Sequence, residues 1–407
     1  MFKLKEPIVY ITRDLERALG LPLGTKNYYI ISNYSRFANS LAKEHHNILL
    51  IKGKGILDTR ELLVHSKTKR FVGSLQKAKI LVFKNTSLIE KICAEAGFYL
   101  LNPSAQLASM IEEKISQVKW LGELQKYLPP HEIKNAKEIV WTGQRFILQF
   151  NRAHTGSGTI LIENEKQLQE IKKKFPNRPV RVTKYIEGVM LTNNNIVWGK
   201  KVLCGNINVQ ITGLSPFTTR PFATVGNDWA YPHKILNKKQ KKEYEKICQA
   251  VGKKLANDEW RGLFGVDILL DRASGKLFLI EINARQPAST TFESQLQSKK
   301  SKYGFTTFQA HLSALLEEKK EISKLISINN GAQITQKVLL NKFKLSSSQL
   351  ASFSAKLKKN KFRFFFYENS EPESDWIRIQ SFGGLLKDEN SLNQNGQKLK
   401  KLILSII

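Results

Sequence analysis

Residues 262–285 read GLFGVDILLDRASGKLFLIEINAR, two strongly apolar runs around a short polar turn. Asp267 and Glu281 interrupt runs that otherwise suit buried strands. A buried carboxylate without a partner is costly, so something cationic is expected beside them. Gly275 suits a hairpin bend. A five-residue loop at 272–276 sets Asp267 opposite Glu281 on one face, whereas a four-residue loop would oppose Val266 to Glu281. Glu281 and Asn283 are two apart and share a face, and Arg285 continues the alternation. Two carboxylates and an amide beside apolar strands suit Mg²⁺, which takes one or two carboxylates and completes its shell with phosphate oxygens and water. The competing reading is a strand end whose acids reach solvent or pair with lysines.

A metal of this kind needs a nucleotide. The chain has no G-x-x-x-x-G-K-[ST] and no G-x-G-x-x-G after a strand. The candidate phosphate loop is TGSGT at 155–159, between the apolar runs FILQF and TILI. Its glycines, Gly156 and Gly158, with Ser157 between them, allow backbone N–H groups to approach phosphate oxygens. Upstream, Pro103 and Ser104 start a helical pattern that carries EEKISQVKW.

In order and spacing, these segments resemble the ATP-grasp superfamily of carboxylate–amine and related ligases, from about residue 105 to 317. The resemblance implies that Lys114 contacts nucleotide phosphates, that TGSGT is a flap over them, and that TKYIEG is the hinge bracketing adenine. Thr183, Lys184, Tyr185 and Ile186 would then meet the base, mostly through backbone. It implies Asp267, Glu281 and Asn283 as metal ligands, and Arg285 near the transferred phosphoryl group. Two positions depart from the pattern. Gln149 stands where a lysine usually reaches the phosphates, and Thr183 stands where a glutamate often receives the adenine amino group. Alternation nevertheless sends Gln149 to the face opposite Phe146, Leu148 and Phe150. His154, in the flap, reads as incidental to the chemistry.

The rest of the 407-residue chain frames this module. Short apolar runs alternating with helical stretches predict a βα sheet domain over 1–104. The ATP-grasp domain is expected over 105–317, with its flap at about 140–190 and the metal hairpin at 262–285. A small α+β domain is expected over 318–407. The expected class is therefore α/β, with an α+β ATP-grasp module at the centre. Arg220, in TGLSPFTTRPFATVGNDW, is a candidate fork for a substrate carboxylate.

Composition bounds the partners. A net charge of +30 would suit nucleic acid, but its lysine runs are scattered and lack interleaved aromatics and arginines. They read better as solvated faces, so neither nucleic acid nor a membrane is expected as a partner. Three scattered cysteines and the lack of a signal-peptide pattern suit a cytoplasmic protein. The resemblance implies an ATP- and Mg²⁺-dependent enzyme, with Mn²⁺ as a substitute metal. It would activate a small-molecule or peptide carboxylate as an acyl phosphate for attack by an amine. Another ATP-grasp phosphoryl transfer, a carboxylase-type reaction and a basic binding protein without activity are the alternatives. A homodimer is compatible with all of them.

Overall fold

The structure, a computed structural model, describes residues 2–151, 158–319, 324–339, 346–367, 369 and 371–406. Three sheets organise it. The first five strands, Ile8–Ile11, Tyr28–Asn33, Ile48–Ile51, Lys79–Val82 and Tyr99–Leu100, form a parallel sheet in the order 3-2-1-4-5. Buried residues such as Ile8, Tyr10 and Leu81 face one side, and Val9, Ile11, Ile80 and Val82 the other, so helices cover both faces. The order reverses between the strand Ile8–Ile11 and the strand Lys79–Val82, which places a crevice at their carboxyl ends.

A four-stranded antiparallel sheet follows, with Pro179–Lys184 between His131–Asn135 and Phe146–Phe150, and Thr159–Ile162 at the edge. Its core face is set by alternation: Phe146, Leu148, Phe150, Val180 and Ile162 pack with Leu168 of the helix Glu165–Lys174. The residues between them, including Gln149, Arg181 and Thr183, are sent to the other face.

The third sheet is antiparallel and begins at the edge with the hairpin Gly262–Asp271 and Leu277–Asn283. The long strand Gly188–Trp198 pairs with Gly262–Asp271 over ten residue pairs. The sheet then runs through Asn208–Thr212 and Thr224–Asp228 into Ala332–Lys337, Asp375–Ser381 and Arg363–Phe366. Strands from the expected 318–407 unit thus extend the central sheet, joined by pairs such as Gly226↔Ile334. The helix Lys238–Asn257 starts at a reciprocal Asn237–Gln240 cap. Its Tyr244, Ile247, Cys248, Val251 and Leu255, at helical spacing, pack with Val266 and Ile268 of the hairpin. The three cysteines are free thiols. Among the described residues, no helix is long and apolar enough to cross a membrane.

Candidate active site

The hairpin reaches its expected pairing by an unexpected route. Asp271 donates its N–H to the Lys276 carbonyl at 2.9 Å, so the turn has four residues, 272–275, and not five. Gly275 lies there at φ +69°, in the left-handed region. Continued regularly, this register would oppose Val266 to Glu281. It holds through Ile268↔Leu279 and then shifts to Asp267↔Glu281, leaving Ile280 as a β-bulge. The bulge has a packing reason. Leu279 and Ile282 are three apart and both fully buried in one core, which strict alternation forbids. One extra residue turns both inward and brings Asp267 and Glu281 together on the opposite face.

Asn283 pairs with Gly265 and donates Nδ2 to the Asp267 Oδ2 at 3.2 Å. A Cβ on Gly265 would stand 2.9 Å from Pro287 and 3.2 Å from the Asn283 Cβ, so the glycine keeps the amide's seat open. Glu281 receives Lys114 Nζ at 2.8 Å. The helical pattern that carries Lys114 breaks at Glu113, whose extended backbone ends Ala105–Glu112 and precedes Lys114–Leu121. Asn151, at the end of the strand Phe146–Phe150, ties that break down. Its carbonyl accepts from Lys114 N and its Oδ1 from Ile115 N, while its Nδ2 donates to Glu113. Lys114 is thereby held beside the end of the strand Phe146–Phe150.

Charge is concentrated here. Burial, then the nearby Glu281, pushes the Asp267 carboxyl up to about 6, although Thr192 and Gln210 counter part of the rise. Its Oδ1 is buried without a hydrogen-bond partner among the described residues. Burial would also raise Glu281, but Lys114, Arg285 and Arg181 together hold it below the usual carboxylate range. Arg285 pairs with the largely buried Glu112, which also takes Lys84. The cation near the expected phosphoryl position is therefore anchored by an acid that sequence reasoning did not single out.

A lone buried Asp267 oxygen beside a second carboxylate and an amide fits a divalent cation. Among the described residues, no group of three or more His, Cys, Asp or Glu side chains is placed to hold a metal. Two carboxylates suffice for Mg²⁺ when phosphate and water supply the remaining oxygens. Asn283→Ala is expected to lower nucleotide-dependent turnover modestly, by about tenfold, with part of the loss recovered in excess Mg²⁺. Initial rates across a Mg²⁺ titration would check this.

On the four-stranded sheet, Gln149 is 5% exposed and lies directly opposite Arg181, with its Nε2 donating to Thr159 Oγ1 at 3.2 Å. Thr183 Oγ1 accepts from Arg181 Nε at 3.3 Å. Arg181 was missed in the sequence reading; in VRVTK, alternation with core-facing Val180 and Val182 was the signal that could have found it. Phe146 pairs with Lys184, which is exposed, and the Arg145 guanidinium lies 4.7 Å from the Tyr185 ring. Tyr185 and Ile186 are partly buried where the chain passes into Gly188–Trp198. Gly158, in the segment expected to be the flap, accepts from Phe150 N at 2.9 Å. Gly156, Ser157 and His154 lie outside the described residues. Arg220 is exposed, and its charged neighbour is Glu373, which Thr218 and Thr219 also bind. The structure gathers Lys114, Asp267, Glu281, Asn283 and Arg285 into one cluster and sets Arg220 in a separate loop beside Glu373.

The family model of the ATP-grasp domain matches residues 111–289. No curated protein sequence matches the chain. Among solved structures, an N5-carboxyaminoimidazole synthetase from Staphylococcus aureus aligns over 98% of both chains, with 14% identity and a TM-score of 0.64. An Aspergillus clavatus N5-carboxyaminoimidazole synthase, in complex with ADP and 5-aminoimidazole ribonucleotide, aligns over 100% of this chain and 99% of that one, with 14% identity and a TM-score of 0.65. The biotin carboxylase domain dimer of Hydrogenobacter thermophilus 2-oxoglutarate carboxylase, with MgADP, ADP and bicarbonate, aligns over 93% and 86%, with 12% identity and a TM-score of 0.61. At these identities the likeness is one of fold, and it extends over nearly the whole chain. The family match and the site motifs agree on the central part of the chain: residues 111–289 are an ATP-grasp domain.

Proposed function

We propose that the protein is an ATP-dependent ligase that activates a substrate carboxylate for attack by an amine. The observation that carries this reading is the Asp267–Glu281–Asn283 face, with one carboxylate oxygen unpartnered and Lys114 and Arg285 beside it. When bound, Mg²⁺ would neutralise these acids and draw charge from the β- and γ-phosphate oxygens. Asp267, Glu281 and Asn283 are the residues to hold it.

The chain's own contribution is positioning and charge stabilisation. Lys114 pairs with Glu281 before nucleotide arrives and can turn from the acid to a phosphate oxygen, because both lie at the same cleft wall. The flap, with Gly156, Ser157 and Gly158, would cover the phosphates with backbone N–H groups. The hinge from Thr183 to Ile186 would meet the base. Arg285, held by Glu112, stands close enough to influence Glu281 and offsets charge on the transferred group. In the reaction, a carboxylate oxygen attacks the γ-phosphorus, the bond to ADP breaks, and ADP leaves with its charge stabilised. An amine then attacks the acyl carbon, loses a proton and displaces phosphate. Arg220, exposed beside Glu373, would meet an acid substrate only at the outer mouth.

A carboxylase-type reaction, with bicarbonate as the activated acid, is the second reading. The neighbour that holds bicarbonate together with MgADP favours it. One experiment separates the two. With ATP, Mg²⁺ and a panel of organic acids, hydroxylamine should trap a hydroxamate and release ADP without the natural amine. ADP release that depends on bicarbonate alone would select the carboxylase reading. A stable phosphorylated product that hydroxylamine leaves intact would exclude both and indicate kinase-like transfer.

A further inference from the structure

Arg181 is 1% exposed, and its Nη1 is buried without a hydrogen-bond partner among the described residues. A buried guanidinium is tolerated when an anion faces it, because desolvation otherwise costs several kcal/mol. The two glutamates nearest this cluster already have cationic partners. Glu281 holds Lys114 at 2.8 Å, and Glu112 holds both Lys84 and Arg285. What Arg181 itself has is a long bond from Nε to the Thr183 hydroxyl and a through-space attraction to Glu281. Burial draws its pKa down to about 10, still far above neutrality, so the charge is retained. The placement is set by the sheet. Val180 and Val182 turn into the core with Phe146, Leu148 and Phe150, which sends Arg181 to the opposite face beside Gln149.

We infer that Arg181 is a phosphate-binding residue, supplying to a nucleoside di- or triphosphate the positive charge that its cross-strand neighbour Gln149 lacks. The inference rests on the nucleotide reading above and names the group on the hinge strand that would hold the phosphates. Arginine suits the task because its planar donors stay charged in a dry site and pair with two phosphate oxygens at once. Gln149 then has a complementary role. It fills the space opposite the guanidinium and donates a neutral hydrogen bond, where a lysine would bring two cations face to face.

The test is calorimetric binding of ADP and of adenosine to the full chain. Arg181→Gln should weaken ADP by about tenfold to a hundredfold, the worth of a hydrogen bond to a charged group, and leave adenosine unchanged. Gln149→Lys in the Arg181→Gln background should restore most of the ADP affinity, since it returns one cation to the same pair of positions. In the wild-type background, Gln149→Lys should instead lower the melting temperature without nucleotide. ADP affinity unchanged in Arg181→Gln overturns the inference, and so does an equal loss for ADP and adenosine. Wild-type protein that binds no ADP would overturn the nucleotide reading and this inference with it. A second measurement covers the case in which Arg181→Gln does not fold. The Arg181 side-chain ¹⁵N–¹H resonance, identified by its absence from Arg181→Lys, should shift on saturation with ADP. A resonance that stays in place overturns the inference.

Discussion

Glu281→Gln is expected to lose about 10²–10³-fold in ATP turnover while remaining folded, the usual worth of one preorganised electrostatic contact in a transition state. The amide keeps the side chain's shape but removes the charge that a metal would need. It also removes the partner that holds Lys114 at 2.8 Å, so the lysine loses its anchor at the cleft wall. Two effects therefore add in the same direction. Circular dichroism and thermal melting would establish the fold, and single-turnover ADP release the rate. Unaltered turnover in a folded Glu281→Gln protein would remove the hairpin from the mechanism and the proposed ligase with it.

Asp267→Asn separates function from stability. Turnover should again fall by about 10²-fold or more, for the same electrostatic reason. The protein without nucleotide should become more stable at neutral pH, because a buried carboxylate beside another acid is unfavourable. The sign follows from the direction of the shift. The ordinary aspartate value is 3.8, and burial with Glu281 raises the folded-state value to about 6. Below the ordinary value both states are protonated and the aspartate adds no pH dependence. As pH rises from there to the folded value, the unfolded chain ionises first, and wild-type stability falls. Above about pH 6 the penalty is complete, on the order of 1–2 kcal/mol once partial solvent access is allowed for. Asp267→Asn has no such titration. Melting temperatures of the two proteins should therefore nearly coincide close to pH 4 and diverge by a few degrees at about pH 8, with the variant higher. Wild type the more stable at both ends would show that Asp267 is satisfied by the protein itself and has no need of a cation.

How much of this was legible in the chain depends on the range of the interaction concerned. Local alternation was enough to place Gln149 on the face opposite Phe146 and Leu148, and to put Glu281 and Asn283 on one side of a strand, because side-chain direction in a strand is a property of neighbouring residues. Apolar runs alternating with helical stretches were enough for a βα sheet in the first hundred residues, and apolar runs around Gly275 for the hairpin's existence. The spacing of the acid, amide and arginine after two apolar runs pointed to a metal and a nucleotide.

Other features depend on packing between distant segments. The four-residue turn and the Ile280 bulge follow from Leu279 and Ile282 both entering a core built with the helix Lys238–Asn257, which the hairpin sequence does not reveal. The break at Glu113, with neither proline nor glycine to mark it, is held by Asn151 from another strand. Glu112 became the anchor of Arg285 across 173 residues of chain, and Arg181 drew its significance from neighbours 32 and 100 positions away, Gln149 and Glu281. The strands after residue 318 look self-contained in sequence, yet they pair into the central sheet at Gly226↔Ile334. Sequence alone determined the chemistry on offer: carboxylates, amide, lysine and glycines in an order that suits phosphate and metal. Tertiary structure decided which charges meet, because an ion pair forms where the folded backbone carries its partners, and a buried charge without one is identified only when every neighbour is in place.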